Sequence, residues 1–345
     1  MISVIILAHN KVDMTRECLS SLSRSSCATD MEVILADNAS TDETTQLGGE
    51  FGGQFGKFVY LRNDDNLTFS IANNKAAARA KGEMLLFLNN DVTVGSDSVA
   101  AMAEAFSTDK TIGMAGAKLV FPGSERVQHA GIVPMLWGYA SNYGSGGMSE
   151  DARFNSQKEM FAVTGAMLMA RRNVFEGVKG FDEGFVWGYE DVDLCLKAAA
   201  YGAGVVYVPR AESVHHESAT MKDSGKHGHL RANYHLYRNK WDHLLVPRER
   251  GTVAALKKDG VRRVVVFGTG QAARGLFAIL TENGISVVGF ASSTPHDSLT
   301  STFLDRPVYL LDEMEGVEYD RMIIGSQFYF EIESKFNEKT IFPVV

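Results

Sequence analysis

The chain has 345 residues, of which 45% are apolar and 22% are charged, and its formal net charge is −8. The length predicts about two domains, and the acidic balance argues against general nucleic-acid binding, which requires a basic face. The three cysteines, Cys18, Cys27 and Cys195, lack metal-ligand spacing and predict free thiols in a reducing compartment.

The chain starts with an apolar run at residues 2–7 that could be mistaken for a signal peptide. No basic residues precede this run, and it ends at His9, so we do not expect a signal sequence. No stretch of the sequence approaches the roughly 18 apolar residues that span a bilayer. The sequence therefore predicts a cytoplasmic protein and leaves open a peripheral contact with the inner face of the membrane.

The first part of the chain alternates apolar runs with polar loops and helical patterns. Strands are predicted at 2–7, 31–36 and 84–88, with a helix after the first and another before the third. This alternation indicates βαβ units and therefore an α/β fold around a largely parallel sheet.

Acidic residues follow several of the predicted strands. Asp37 follows the second strand, Asp64 and Asp65 follow a short strand at 58–61, and Asp91 follows the strand at 84–88. Ligands of open α/β sheets bind beyond the carboxyl ends of the strands, so one rim should carry these carboxylates. Asp91 could meet a hard cation and its phosphate ligand there, although an Asn/Asp turn produces the same pattern.

A second group of carboxylates lies in residues 180–196. Val192 and Leu196 have helical spacing, which places Glu190 and Asp191 at the N-terminus of a helix. Carboxylates are favoured there, and these two could serve only as helix caps. The density of carboxylates beside a tryptophan exceeds what a cap needs, so the segment is also a candidate for chemistry.

Two further segments precede the end of the first domain. His215 and His216 follow a strand at 204–209, and one of the pair could ligate a metal ion through its neutral imidazole, or could be an exposed loop residue. A helix is predicted around residues 230–245, and its apolar stripe indicates packing, with an interfacial role left open.

The C-terminal part begins after a charged segment at 246–260 that contains Pro and Gly and predicts a linker. A new strand–turn–helix follows, in which Gly268 and Gly270 belong to G-x-G-x-x-A, an allowed form of the dinucleotide fingerprint. The acidic residue expected about 20 positions later is missing, which weakens a prediction of NAD binding. The predicted domains are therefore 1–245 and 261–345.

Six short motifs follow one another within the first domain. They are V-I-I-L-A-H-N from Val4, D-N-A-S-T-D from Asp37, N-L-T-F from Asn66, L-N-N-D from Leu88, G-F-D-E from Gly180 with E-D-V-D-L from Glu190, and V-H-H from Val214. Each motif is weak by itself. In this order they resemble the family 2 inverting glycosyltransferases of GT-A fold, which implies a Rossmann-like mixed sheet flanked by helices.

The resemblance implies a nucleotide-sugar donor site at the strand ends. The residues implied in donor binding are Ala8, His9, Asn10, Asp37, Asn66, Asn89 and Asn90. Of these, Asp37 would accept from the edge of the nucleobase. Thr68 stands where the family has glycine, and Asn89 stands where it often has a carboxylate. The second departure makes the site less negative.

The resemblance also implies the metal, catalytic and acceptor residues. Asp91 and His215 would hold Mg²⁺ or Mn²⁺ against the diphosphate, with phosphate supplying further ligands. Asp191 would be the general base on the acceptor hydroxyl, and Glu190 would orient the acceptor or the base. The acceptor, a glycan or glycolipid, would contact Trp187 and Tyr189, although Trp187 could instead be a packing residue.

The second domain resembles the small Rossmann-like domains that accompany sugar acyl- and methyltransferases. It has V-V-G-F from Val287, but Ala291 replaces the acidic residue that follows in those domains. The resemblance implies an accessory domain that binds a nucleotide or a partner, with Gly268 and Gly270 in the nucleotide loop, or that only supports assembly.

The sequence thus predicts a metal-dependent inverting glycosyltransferase that builds surface polysaccharide or glycoconjugate. One alternative is a nucleotidyltransferase on a related fold, against which the Glu190–Asp191 helix start argues. Another is a non-catalytic nucleotide-binding module, against which Asp91 and Asp191 argue. The donor sugar, the nucleobase, the acceptor and the oligomeric state are not predicted.

Overall fold

The computed structural model describes residues 1–216, 226–293, 302–325, 330 and 340–341. The chain divides into two compact units. The first consists of Met1–Ile132 with Asn142–Tyr237, and the second consists of Val133–Ser141 with Arg238–Val345. None of the helices in the described ranges is both long and apolar enough to cross a membrane.

A mixed sheet forms the centre of the first unit. Its described strands are β1 (Ile2–Ala8), β2 (Met31–Asn38), β3 (Lys57–Asn63), β4 (Met84–Asn89), β5 (Val92–Thr93), β6 (Ile112–Val120), β7 (Val127–His129), β10 (Lys158–Glu159), β11 (Met167–Arg171) and β12 (Gly204–His215). A hairpin of β8 (Ile132–Pro134) and β9 (Ala140–Asn142) follows β7. The strand order is β10-β12-β6-β11-β4-β1-β2-β3, with β5 beside β12 and β7 beside β6.

The centre of this sheet explains the near-continuous apolar runs of the sequence. β1 pairs in parallel with β2 and β4, and β11 pairs with β4 antiparallel. Strands covered on both faces gain from an apolar residue at every position. The register aligns Ala8 with Asp37 and Leu7 with Asn89, so the polar residues that follow these strands meet at one edge of the sheet.

The helices follow the predicted alternation. They are α1 (Val12–Ser23), α2 (Leu47–Phe51), α3 (Phe69–Ala77), α4 (Ser98–Thr108), α5 (Arg172–Gly177), α6 (Glu190–Ala200), α7 (Lys226–Lys258) and α8 (Gln271–Glu282). Thr68, which replaces the expected glycine, is the N-cap of α3, and its Oγ1 accepts a hydrogen bond from the N–H of Ile71. Thr68 therefore stabilises the start of α3 as its N-cap.

The structure differs from the linker predicted at 246–260. Helix α7 continues to Lys258 and contains Pro247, and its residues from Arg238 onward already belong to the second compact unit. Val253 and Leu256 are buried in the apolar core of that unit. Burial of an apolar helix face stabilises a helix more than propensity does, which explains why the Pro and Gly residues do not end it.

The second unit contains its own sheet, as expected for a Rossmann-like domain. Its described strands are β13 (Arg263–Phe267), β14 (Ser286–Ser292), β15 (Thr302–Phe303), β16 (Arg306–Leu310), β17 (Arg321–Ile324) and β18 (Thr340–Ile341), in the order β15-β16-β14-β13-β17-β18. All pairs except β15 with β16 are parallel. Helix α8 contributes Leu276 and Leu280 to the core against Val264 and Phe290.

Candidate active site

A cavity of about 590 Å³ lies in the first unit, beyond the carboxyl ends of β1, β2 and β4. The predicted site residues that line it are His9, Asn66, Asn89, Asn90, Asp91, Trp187, Glu190 and Asp191. Leu7, Asn38 and Phe69 also line it, and they belong to the predicted motifs without having been assigned a role. The sequence did not indicate the remaining lining residues, which are Lys11, Met14, Thr164, Gly165 and Ala166. The strand-end loops and the start of α6 therefore meet at one site.

Asp91 lines the cavity and contacts His215, which does not itself line the cavity. β5 pairs antiparallel with β12, with Val92 opposite His215, which brings the ring beside the carboxylate that precedes β5. The distance from His215 Nε2 to Asp91 Oδ1 is 3.2 Å. The ring of His216 instead contacts Thr93 Oγ1 at 3.0 Å. The pairing therefore places the ring of His215 beside the Asp91 carboxylate, and its role as a metal ligand stays a prediction.

The donor set of Asp91 and His215 fits a divalent cation. Burial raises the pKa of the Asp91 carboxyl; a proton on the ring of His215, with smaller contributions from the backbone and His216, more than offsets this, so that its pKa lies below the ordinary value. Asp91 Oδ1 is buried and has no hydrogen-bond partner among the described residues. In the described ranges, no three or more Asp, Glu, His or Cys side chains are grouped so that they could hold a metal ion by themselves. Further ligands would therefore be oxygens of water or phosphate.

Asp191 lines the same cavity and is held there by backbone donors. Its Oδ2 accepts from the N–H of Gly165, and its Oδ1 accepts from the N–H of Val192, both at 2.8 Å. Burial raises the pKa of Asp191 above its ordinary value, and these donors, with the side chain of Thr164, oppose that rise. Donors to an ionised carboxylate favour its charged form.

Glu190 is the neighbour with which Asp191 competes for a proton. Burial, followed by the charge of Asp191, raises the pKa of Glu190 to about 8. Its Oε2 is buried without a hydrogen-bond partner in the described ranges. Two close carboxyls in such surroundings do not both ionise at neutral pH. The backbone donors and Thr164 at Asp191 favour the charge on Asp191 and the proton on Glu190.

The turn that holds Asp191 is itself connected to β7. The N–H of Thr164 approaches His129 Nε2 at 3.4 Å, and His129 Nδ1 is 2.8 Å from Asn142 Oδ1. Burial lowers the pKa of His129 to about 4, so the ring is neutral. A neutral ring that accepts at Nε2 donates at Nδ1. The sequence showed neither Thr164 nor His129, since only the chain crossing brings them here.

Asp37 does not line the cavity. It is fully buried, and its carboxylate accepts from the N–H of Ser40 at 2.8 Å, from Arg62 at 2.5 Å and from the hydroxyl of Tyr60. Burial raises its pKa, but these contacts prevail and lower it below the ordinary value. Next to it, Asn38 lines the cavity and donates to Asn66 Oδ1 at 2.8 Å.

The loop after β1 likewise contains some residues that line the cavity and others that do not. Ala8 lies in the core, and Asn10 hydrogen-bonds with Ser40 Oγ and the N–H of Thr41. His9 and Lys11 line the cavity. Lys11 has a positive φ of 59° and precedes α1. The position of Lys11 directly after a strand-end loop was the feature of the sequence that could have indicated this positively charged side chain.

Trp187 lines the cavity, whereas Tyr189 does not. Tyr189 stacks on Tyr237 with ring centroids 4.8 Å apart, and it has a positive φ of 70° where α6 begins. The side chain of Asn233 donates to the carbonyls of Trp187 and Gly188 at 2.7 and 2.9 Å. Helix α7 thus holds the loop that carries the tryptophan.

The glycines predicted to form a nucleotide loop lie in the second unit. Gly268 follows β13 with a φ of +103°, which favours glycine, and its N–H donates to the carbonyl of Ala291 at 2.8 Å. Gly270 is the N-cap of α8. The strand, turn and helix are therefore those that the G-x-G-x-x-A pattern predicts, and a ligand at this loop stays a prediction.

Three regions of the chain match known families. Residues 3–178, half of the chain, match the family described as glycosyl transferase family 2. Residues 148–220 match the N-terminal domain of galactosyltransferase, and residues 260–342 match the family described as C2185-like, N-terminal.

Two relatives show the range of similarity. The O-antigen biosynthesis protein RfbC of Myxococcus xanthus is 34% identical over 227 residues, which are 64% of this chain and 18% of that protein. The N-acetylglucosaminyl-diphospho-decaprenol L-rhamnosyltransferase of Mycobacterium tuberculosis is 28% identical over 232 residues, which are 59% of this chain and 73% of that protein. The chain thus spans less than a fifth of the length of the Myxococcus protein.

The fold of this chain resembles those of solved structures. GalNAc-T7 with UDP, GalNAc and Mn²⁺ has a TM-score of 0.53 and 19% identity over 62% of this chain and 43% of that chain. The mannosyltransferase PcManGT of Pyrobaculum calidifontis with GDP-Man and Mn²⁺ has a TM-score of 0.50 and 16% identity over 81% and 79% of the two chains. These likenesses confirm the expected GT-A fold. Because its match to the family covers half of its residues, this chain belongs to glycosyl transferase family 2.

Proposed function

We propose that this chain transfers a sugar, with inversion, from a nucleoside-diphosphate sugar to a hydroxyl group of a glycan or glycolipid acceptor. The observation that carries the proposal is one cavity in which Asp91, beside His215, and the Glu190–Asp191 pair face a common space. The names of the Myxococcus and Mycobacterium relatives support an acceptor in surface polysaccharide or cell-wall assembly.

The donor would occupy the side of the cavity formed by the strand-end loops. His9, Asn38 and Asn66 lie there, and Lys11 supplies a positive charge for the diphosphate. Asn90 donates to Thr15 Oγ1 at 2.9 Å, which fixes its amide at the rim. Asp37 does not line the cavity, so it would support the nucleobase end of the site indirectly, through its contacts with Ser40 and Arg62.

Asp91 and His215 would hold Mg²⁺ or Mn²⁺ at the diphosphate. The unpartnered Oδ1 of Asp91 and the ring nitrogen beside it are suitable ligands. When bound, such an ion neutralises the charge that develops on a leaving diphosphate. The Mn²⁺ in the structures of GalNAc-T7 and PcManGT supports this choice of ion class.

Asp191 would remove the proton from the acceptor hydroxyl. Its charged form is stabilised by the N–H groups of Gly165 and Val192, and Glu190 retains the proton of the pair. The protonated Glu190 can donate a hydrogen bond to the acceptor or to Asp191. Trp187 offers an aromatic face for the acceptor sugar at the same wall. Attack by the activated hydroxyl on the face opposite the leaving group inverts the anomeric centre.

To test the proposal, the protein is incubated with a panel of nucleotide sugars, Mn²⁺ and acceptor glycans, and the release of nucleoside diphosphate is measured. We expect Asp191→Asn to lower turnover by about 10²–10⁴-fold, the contribution of a positioned general base. Calorimetry should show that the variant binds the nucleoside diphosphate as the parent does. Asp65→Asn is the matched control, since Asp65 is exposed and outside the cavity. Equal turnover of Asp191→Asn and the parent, or no turnover of any donor, would contradict the proposed mechanism.

A further inference from the structure

Gln128 on β7 makes two contacts with the same histidine. It is 4% exposed, its Oε1 lies 2.7 Å from His215 Nδ1, and its Nε2 donates to the backbone carbonyl of His215 at 3.4 Å. The family motifs in the sequence do not include Gln128, and it does not line the cavity.

The double contact determines which end of the amide faces the ring. A carbonyl oxygen only accepts, so the amide NH₂ of Gln128 must face the carbonyl of His215. The amide oxygen then faces Nδ1, and Nδ1 must carry a proton to donate to it. In the neutral imidazole, the proton on Nδ1 leaves a lone pair on Nε2.

The lone pair of Nε2 points toward a second acceptor. Asp91 Oδ1 lies 3.2 Å away, and it has no hydrogen-bond partner in the described part of the chain. Two acceptors at that distance are unfavourable unless a cation lies between them or a proton is added. The arrangement is that of two ligands turned toward one metal ion.

The strands hold both residues at fixed positions. β6 pairs with β7 and with β12, so that Val120 lies opposite Val127 on one side and opposite Val214 on the other. Gln128 and His215 each follow one of these valines directly. Gln128 is the extra residue at the register shift between β6 and β7, so that its contact with His215 depends on the pairing of three strands rather than on a loop.

We propose that Gln128 is a positioning residue that sets the tautomer and orientation of His215, so that Nε2 is presented as a metal ligand beside Asp91. The inference rests on the proposed metal site. Metal-binding histidines commonly donate their other N–H to a carbonyl or carboxylate, and loss of that partner typically costs 10–100-fold in affinity.

The first test is the tautomer of His215 in the metal-free protein. Nitrogen-15 NMR at alkaline pH, with His215→Gln to assign the signal, should show a protonated Nδ1 and a bare Nε2 in the parent. In Gln128→Leu the preference should weaken or reverse, whereas Gln128→Glu, which keeps an acceptor, should retain it. A parent protein in which Nε2 carries the proton would overturn the proposal. This readout needs no metal and therefore stands even if the proposed metal site fails.

The second test measures the affinity for Mn²⁺ alone, from the loss of the free-ion paramagnetic resonance signal. We expect Gln128→Leu to weaken binding by about 10–100-fold, and Gln128→Glu to bind within a few-fold of the parent. Gln157→Leu is the matched control, because Gln157 is exposed and lies away from the cavity. Unchanged affinity in Gln128→Leu, or equal loss in the Leu and Glu variants, would contradict a positioning role. If Gln128→Leu does not fold, the tautomer in the parent and in Gln128→Glu decides.

Discussion

Two adjacent carboxyls, Asp191 and Glu190, differ in their surroundings because their hydrogen-bond donors differ. Asp191 receives N–H groups from Gly165 and Val192, whereas Glu190 has a buried Oε2 without a partner in the described ranges. The side chain with better donors ionises first, and its charge then raises the pKa of the other. One pair can therefore supply both a base and a protonated hydrogen-bond donor.

The raised pKa of Glu190 predicts a pH-dependent stability. The folded protein keeps this proton up to about pH 8, while the unfolded chain releases it near 4.5. Folding therefore binds a proton in that range, and the contribution of Glu190 to stability falls as the pH rises, by at most about 1.4 kcal/mol per pH unit. Glu190→Gln should remove this slope.

Urea unfolding of the parent and of Glu190→Gln between pH 5 and pH 8 measures the effect. The variant should gain stability relative to the parent as the pH increases, and the difference between the proteins cancels groups that both contain, such as His129. Glu150→Gln, at an exposed position, should show no such trend. A difference between Glu190→Gln and the parent that does not change with pH would show that Glu190 is already ionised in the folded protein.

At the level of elements, helix α7 stabilises the loop that carries Trp187. Asn233 is 3% exposed and donates to the carbonyls of Trp187 and Gly188, and its Oδ1 lies 3.4 Å from the N–H of Val186. The stacking of Tyr189 on Tyr237 is a second connection to the same helix. The residue that begins α6 is therefore supported from α7.

Asn233→Ala should loosen this loop. Removal of the Asn233 amide eliminates its hydrogen bonds to two carbonyls, and we expect the free energy of unfolding to fall by about 1–3 kcal/mol. Hydrogen exchange should become faster at the amides of residues 186–188, while the amides of β1 and β4 keep their protection. The matched control is Asn239→Ala, at an exposed position of the same helix. Equal exchange in the two variants would show that Asn233 does not hold the loop.

For the whole molecule, each compact unit has a separate apolar core. Leu86 is fully buried in the core of the first unit, and Leu276 is fully buried in that of the second. Truncation of a buried leucine to alanine typically costs 2–5 kcal/mol. The two units should therefore respond to different substitutions.

Leu276→Ala should lower the protection of amides in β13 and β14 and leave those of β1 and β4 unchanged, because opening free energies are set locally. Leu86→Ala should show the reverse pattern. Hydrogen exchange followed by mass spectrometry of both variants measures this. If each variant lowered protection equally in both sheets, the units would unfold as one.

Several features of the fold and site followed from local sequence patterns. The apolar runs predicted the central strands, the polar residues after them predicted the rim, and the spacing of Val192 and Leu196 predicted the start of α6 at Glu190 and Asp191. These predictions succeed because burial of a strand or a helix face is recorded in neighbouring residues. The order of the motifs was enough to predict the family.

Other features depended on contacts between residues far apart in the chain. The placement of the His215 ring beside Asp91 follows from the pairing of β5 with β12, and the contact of Gln128 with His215 follows from β6 lying between β7 and β12. The burial of Asp37 follows from its contacts with Arg62 on the neighbouring strand. Likewise, the packing of Val253 keeps 246–258 helical where composition indicated a linker. Sequence alone therefore determined which residues end the strands and begin the helices, and only the tertiary structure decided which side chains face each other, because register and strand order are not written in any local pattern.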